Sequence, residues 1–386
     1  MIYDNLLHTD IADIYKEKFL NFDFSTLNDD ISLGKLNVAN YFLVCYKHTK
    51  DEIYLDKIVE LLEVIFTNLE HETKENLYKK STFIDGLTGL AFTLKLLIAE
   101  NILDAEDFED QLNTIDEIIL ENSLEMIANN YFDYLGGPFG NLQYFLHWQA
   151  TPEKADRIIQ SLQKFNNSFY TICDNPYTQG YNLGLKHGYL GIIKTYIDYT
   201  LIFGENPVVR RGIENLLDYI IDNLNEDYIA ENVHIYKYHS IHIKDDQFIK
   251  HQNNRLAWCN SDLTFAYYLL KAGKLLDNDK YIGLSQKIGL ETTKRSPSTV
   301  TGVEDEHFCH GSSGLAFLYH KLHQLDPLDI YKEKCEEWKN KTLEFLEEAK
   351  DQEFAIRDLS LLYGKTGALV VLEGTYENSN YFEFLT

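Results

Sequence analysis

Long apolar runs, an excess of basic residues and a paired set of cysteines are all missing from this 386-residue chain. No stretch of 18 consecutive apolar residues occurs, which argues against a transmembrane helix. The start, Met1-Ile2-Tyr3-Asp4, has neither a basic n-region nor an apolar h-region, so no secretory signal is expected. Lysine and arginine number 35 against 61 aspartate and glutamate, a formal net charge of −26 that argues against a nucleic-acid partner. The acidic residues fall mostly on stretches that read as solvated helix faces. Five cysteines, at 45, 173, 259, 309 and 335, form an odd and scattered set, unlike a secreted disulfide scaffold. There is no low-complexity segment and no linker. A cytoplasmic protein is expected, with peripheral association with a membrane-bound complex left open.

What the chain does have is a repeat, marked by glycine. Gly-x-x-Gly before an apolar run occurs as Gly86-Leu87-Thr88-Gly89, Gly137-Pro138-Phe139-Gly140, Gly188-Tyr189-Leu190-Gly191, Gly311-Ser312-Ser313-Gly314 and Gly364-Lys365-Thr366-Gly367. Gly34-Lys35-Leu36-Asn37 keeps only the first glycine, and Ser261-Asp262-Leu263-Thr264 keeps neither. The first positions, 34, 86, 137, 188, 261, 311 and 364, are spaced by 52, 51, 51, 73, 50 and 53 residues. A period near fifty across the whole chain is the signature of a repeat architecture.

Each period reads as two helices. Runs such as Leu90–Leu97 and Leu315–Tyr319 are apolar nearly all round, as in helices packed on every side. Charged stretches at 55–69, 107–128, 152–171, 207–224 and 328–349 carry apolar residues at helical spacing. Pro152, Pro207 and Pro327 stand at helix starts, where proline is tolerated. The expected fold is all-α: an α/α toroid of seven helical hairpins forming one domain over 1–386. The one long spacing places an insertion at about 226–250, where β-branched and aromatic alternation suggests a short hairpin or extended loop. His234, His239 and His242 in it read either as surface residues of a strand or as a second metal cluster.

Chemical groups fall in phase with the repeat. His187 and His310 both stand one residue before a first position, and Cys259 and Cys309 both stand two before. Asp133 stands four before and Arg255 six before. All precede apolar helices, so a closed array would gather them at one end. Thiolate and imidazole are ligands zinc prefers, and three protein ligands leave a fourth position open. Cys259, Cys309 and His310 are therefore the candidate ligands of one zinc per chain. Cys45, Cys173 and Cys335 lie out of phase and read as structural. The plainer alternatives are a helix N-cap at Asp133, a surface ion pair at Arg255 and a turn histidine at His187.

The segments Gly184-Leu185-Lys186-His187-Gly188-Tyr189-Leu190-Gly191, Trp258-Cys259 and Cys309-His310-Gly311-Ser312-Ser313-Gly314 resemble the signatures of the lanthionine cyclases, the LanC family. The resemblance spans essentially the whole chain. It implies an α/α toroid with one zinc held by Cys259, Cys309 and His310. It also implies that His187 is the acid/base group, with Asp133 and Arg255 beside it. The implied reaction adds a peptide cysteine thiol to dehydroalanine or dehydrobutyrine, closing a thioether ring in a ribosomally made lanthipeptide. The implied partner is a dehydrated precursor peptide. Nothing in the chain resembles a dehydratase, so a separate enzyme would dehydrate Ser and Thr, and a transporter would complete such a pathway. Other readings are a LanC-like addition of a soluble thiol such as glutathione, a non-catalytic zinc-stabilised scaffold, and an α/α-barrel glycosidase, for which only Asp133 and Asp85 qualify as the two carboxylates and the cysteines go unexplained. The chain departs from the family after Trp258-Cys259: an aromatic residue and glycine are usual, with a second glycine further on. Here Asn260-Ser261 follows, and Thr264 takes the second position.

Overall fold

A computed structural model of the chain describes residues 2–70, 80–148, 152–165, 173–175, 178–222, 240–244, 247–251, 255–295, 301–378 and 380–385. It contains helices α1 (Ile2–Leu20), α2 (Lys35–Thr49), α3 (Ile53–Glu70), α4 (Leu87–Ala99), α5 (Glu109–Ala128), α6 (Pro138–Trp148) and α7 (Glu153–Leu162). Strands β1 (Cys173–Asn175) and β2 (Thr178–Asn182) follow, then α8 (Tyr189–Phe203) and α9 (Pro207–Asp222). Strands β3 (Ser240–Lys244) and β4 (Gln247–His251) precede α10 (Asp262–Leu276), α11 (Asp279–Thr292), α12 (Ser312–Leu325), α13 (Asp329–Ala349) and α14 (Lys365–Leu372).

Seven helices among the described residues begin at the repeat positions: α2, α4, α6, α8, α10, α12 and α14. They are the core. Lys35 through Cys45 of α2 are all buried, and so are all eight residues of α14. In α4 only Lys95 among residues 87–97 is not fully buried, and it pairs with Asp116 at 2.9 Å. Each fully buried Leu, Ile or Phe contributes roughly 1.5–3 kcal/mol over its exposed state, so the core lies in these helices. The helices between them bury one face each, as Val209, Ile213, Leu216, Leu217 and Ile220 do in α9.

Two compact units emerge, Met1–Glu117 with Glu304–Phe317 and Cys335–Thr386, and Ile118–Val303 with Leu318–Lys334. In the first, the helix α14 is followed by short 3-10 segments at Thr375–Asn378 and Asn380–Leu385. Here α1 meets the C-terminal repeat: Lys16 pairs with Glu373, and the Tyr15 hydroxyl donates to the Leu346 carbonyl at 2.8 Å. In the second, Asp198 of α8 meets Lys194 at 2.7 Å, Lys271 of α10 at 3.5 Å and the Gln143 amide of α6 at 3.1 Å. One carboxylate thus ties three buried helices together. Burial would raise its pKa, but the charges of Lys194 and Lys271 outweigh that and hold it below the ordinary carboxylate value.

The hairpin expected in the insertion is present as part of a larger sheet. β3 and β4 are antiparallel, with Ile241 opposite Lys250, so the expected hairpin sits at the far end of the 226–250 region. Residues 223–239, with His234 and His239, lie outside the described residues, as does the side chain of His242. Two strands that periodicity had not indicated, β1 and β2, complete a four-stranded sheet in the order β1-β2-β3-β4. The expected helix over 152–171 is shorter than that. It ends at Leu162 and passes through a 3-10 turn at Gln163–Phe165. Asn166 and Asn167 follow in sequence, and asparagine competes for backbone hydrogen bonds in a helix.

Candidate metal centre

Three of the turns before the buried helices are built alike. The carbonyl seven residues back accepts the first helical N–H: Asn28 from Lys35 at 2.8 Å, Lys80 from Leu87 at 2.9 Å and Asp305 from Ser312 at 3.0 Å. The glycine sits against that bracket. A Cβ on Gly86 would stand 2.4 Å from the Lys80 oxygen, and one on Gly188 would stand 2.1 Å from the Asn182 oxygen. Close approach of backbone is therefore what selects glycine at these two sites.

The sequence departure at 260–264 is resolved by hydroxyl groups. Ser261 Oγ donates to the Ala257 carbonyl at 2.7 Å and accepts from the Thr264 N–H at 3.3 Å, capping α10. Thr264 Oγ1 reaches the Ala257 and Trp258 carbonyls at 2.7 and 2.9 Å. Two hydroxyls thus bind the turn that glycine would otherwise contact directly. Asn260 is buried against Gly184, where an added Cβ would lie 2.9 Å from the Asn260 Cβ.

Cys259, Cys309 and His310 each offer one ligand atom, and these atoms lie within 4.8 Å of one another. Cys309 Sγ and His310 Nε2 are 3.5 Å apart. Ligand atoms around a tetrahedral zinc stand roughly 3.4–3.8 Å apart, given zinc–sulfur and zinc–nitrogen bonds near 2.3 and 2.0 Å. Both thiols are buried and in no disulfide, so donor set and spacing fit the ion. The cluster could bind a metal. Cys45 and Cys335 are also buried, and neither belongs to such a cluster among the described residues. Burial pushes the Cys45 thiol up to about 12 and the Cys335 thiol up to about 11, which favours the protonated thiol over the nucleophilic thiolate. The side chain of Cys173 lies outside the described residues.

His187 and Asp133 come together in the second unit, with Nδ1 and Oδ2 2.8 Å apart. Asp133 is 4% exposed and spends its other oxygen on the Gly136 N–H at 2.7 Å. The alternative of a helix N-cap is thus not what Asp133 forms: one carboxylate oxygen closes the turn ahead of α6 and the other meets His187. The Leu185 N–H donates to the Cys259 carbonyl at 2.7 Å, which fastens the His187 turn to the segment carrying Cys259. Strand β2 ends at Asn182, so the sheet leads directly into the His187 segment.

Arg255 is half-buried beside Gly302, whose added Cβ would lie 3.4 Å from the Arg255 Cβ. The Leu256 N–H donates to the Thr301 carbonyl at 2.9 Å, holding the segment that leads to Cys259.

Sequence reasoning passed over Asp305 and His307. Their side chains meet at 3.0 Å between Oδ2 and Nδ1. Burial would raise the Asp305 carboxyl, but the hydrogen bond and charge of His307 hold it below its ordinary value. The signal was present in the phase: Asp305 stands six residues before Gly311 as Arg255 does before Ser261, and His307 four before as Asp133 does before Gly137.

The family model for lanthionine synthetase C-like proteins matches residues 25–386. Among solved structures, nisin cyclase superposes with a TM-score of 0.73 at 19% identity, covering 99% of this chain and 97% of that one. The GH76A alpha-1,6-mannanase from Salegentibacter sp. HEL1_6 superposes at 0.42 with 13% identity, covering 95% of this chain and 98% of that one. No curated protein matches the sequence significantly. The fold is the α/α toroid of the cyclase, and at this identity the likeness speaks for fold alone. Matched over nearly its whole length, the chain belongs to the lanthionine synthetase C-like proteins.

Proposed function

We propose that the protein is a zinc-dependent lanthionine cyclase, acting as one domain on a dehydrated precursor peptide. The observation that carries the reading is the convergence of Cys259, Cys309 and His310 within 4.8 Å in a chain of this family. Zinc on these three ligands would leave a fourth position for the substrate thiol and lower that thiol's pKa.

The bond changes balance simply. The cysteine sulfur bonds to the β-carbon of the dehydroamino acid and the thiol gives up its proton. The double-bond pair moves onto the α-carbon and its carbonyl as an enolate, and one proton is delivered to the α-carbon. His187 is the donor in this reading. Asp133 holds Nδ1, which assigns the ring proton there and leaves Nε2 as the exchanging nitrogen. Arg255 stabilises the enolate oxygen by its charge. A separate dehydratase supplies the substrate, and a transporter would take the product. We place the protein in the cytoplasm. No helix among the described residues is long and apolar enough to cross a membrane.

The test is zinc content of the purified chain beside Cys309→Ala, with helicity checked by circular dichroism. It is followed by incubation with dehydrated peptide, with and without added glutathione. About one zinc per wild-type chain, absent from a helical variant, with ring closure as loss of free peptide thiol at unchanged mass, is the expected result. A mass gain equal to glutathione with no ring would favour the soluble-thiol reading instead. A folded, zinc-free wild type with no activity would sink the enzyme reading.

A further inference from the structure

The turn bearing Cys309 and His310 has anchors on both sides, and they converge on one residue. The Gly311 N–H donates to the His307 carbonyl at 2.9 Å, enclosing Phe308, Cys309 and His310 in a single turn. On the near side, Asp305 Oδ1 accepts the His307 N–H at 3.1 Å and Oδ2 meets the His307 ring at 3.0 Å. On the far side, the Asp305 carbonyl accepts the Ser312 N–H at 3.0 Å and the Ser312 hydroxyl at 3.2 Å. Gly311 is pressed onto the carboxylate, since an added Cβ there would stand 2.3 Å from Asp305 Oδ1.

The carbonyl bracket is common to several repeats, but the side-chain clasp is not. Asn28 and Lys80 occupy the matching position in the first two repeats, and Lys80 directs its ammonium to Asp85 instead. The clasp recurs before His187: Asn182, six residues ahead of Gly188, accepts the Gly184 N–H on its side-chain oxygen at 2.9 Å. In the last repeat the matching residue is Asp358, whose carboxylate instead accepts the Ala355 N–H at 2.8 Å and pairs with Lys365 at 3.4 Å, so an acid at this position does not by itself make the clasp.

We propose that Asp305 is a positioning residue for the metal centre, holding the Cys309–His310 turn in ligating geometry through its side-chain acceptor. Side chains that orient metal ligands without touching the ion typically alter affinity by roughly 10–100-fold when removed. The inference rests on the metal reading above, and its test separates the two.

Zinc affinity of the full chain would be measured by competition with a chromophoric chelator for wild type, Asp305→Ala and Asp305→Asn. Cobalt(II) spectra would report ligand geometry and circular dichroism the fold. Asp305→Ala should remain helical, bind zinc about 10–100-fold more weakly and shift the cobalt bands. Asp305→Asn keeps the acceptor for the His307 N–H and should recover most of the affinity and the wild-type spectrum. Wild-type affinity in a folded Asp305→Ala overturns the proposal, as does an Asp305→Asn chain that binds no better than the alanine variant. If the alanine variant fails to fold, the asparagine variant decides: near-wild-type binding supports the role and weak binding overturns it. A folded wild type that takes up no zinc instead overturns the metal reading, and this inference falls with it.

Discussion

Asp133 Oδ2 sits 2.8 Å from His187 Nδ1, while its other oxygen closes the turn to Gly136 at 2.7 Å. One carboxylate, 4% exposed, therefore fixes both a backbone turn and the orientation of an imidazole. The two duties separate by substitution. In Asp133→Asn the amide still offers one oxygen, but no carboxylate remains to stabilise a protonated His187. Cyclisation should fall by roughly 10²–10⁴-fold while the helical signal persists, the size expected for losing an oriented acid/base group. Turnover of a dehydrated peptide at wild-type rate would remove His187 and Asp133 from the proton path.

Thr264 bridges two carbonyls where the family keeps a glycine. Thr264→Val preserves shape but removes the hydroxyl, leaving Thr264's bonds to Ala257 and Trp258 unmade in a fully buried turn. A loss of about 1–3 kcal/mol is expected from urea unfolding. An unchanged midpoint would mean that these bonds do not hold the segment.

The buried cluster around Asp198 makes a pH prediction. Its folded pKa lies below the unfolded value, so its contribution is present above about pH 3.9 and is lost as pH falls through the folded value. Asp198→Asn leaves Lys194 and Lys271 buried without that counter-charge and should cost about 3–5 kcal/mol near neutral pH. The gap between wild type and variant should narrow in acid. Parallel stability curves from pH 7 down to pH 3 would show that the carboxylate carries no such linkage.

Much of the fold was legible because its pattern is local and repeated. Glycine recurs where a backbone seven residues away crowds the helix start, and the all-apolar helices follow from there. The end of α7 and the strands β1 and β2 were not legible. A short polar segment such as Thr178–Asn182 has no periodicity of its own, and its pairing with β3 depends on residues about sixty positions away. The candidate ligands were readable from their phase. Asp305 stood in the same phase, but an aspartate before a helix has a common structural explanation, and only its bonds to both flanks of the turn distinguish it.

The sequence by itself determined the repeat, its helical class and the residue types at each helix entrance, because period, burial pattern and close backbone approach are written in neighbouring residues. Tertiary structure alone decided which entrances meet. Asp133 and His187 are 54 residues apart in sequence, and Cys259 and Cys309 belong to separate repeats. No local preference brings such groups within bonding reach. The packing of the buried helices does, because burying them on every side fixes where each entrance turn must lie.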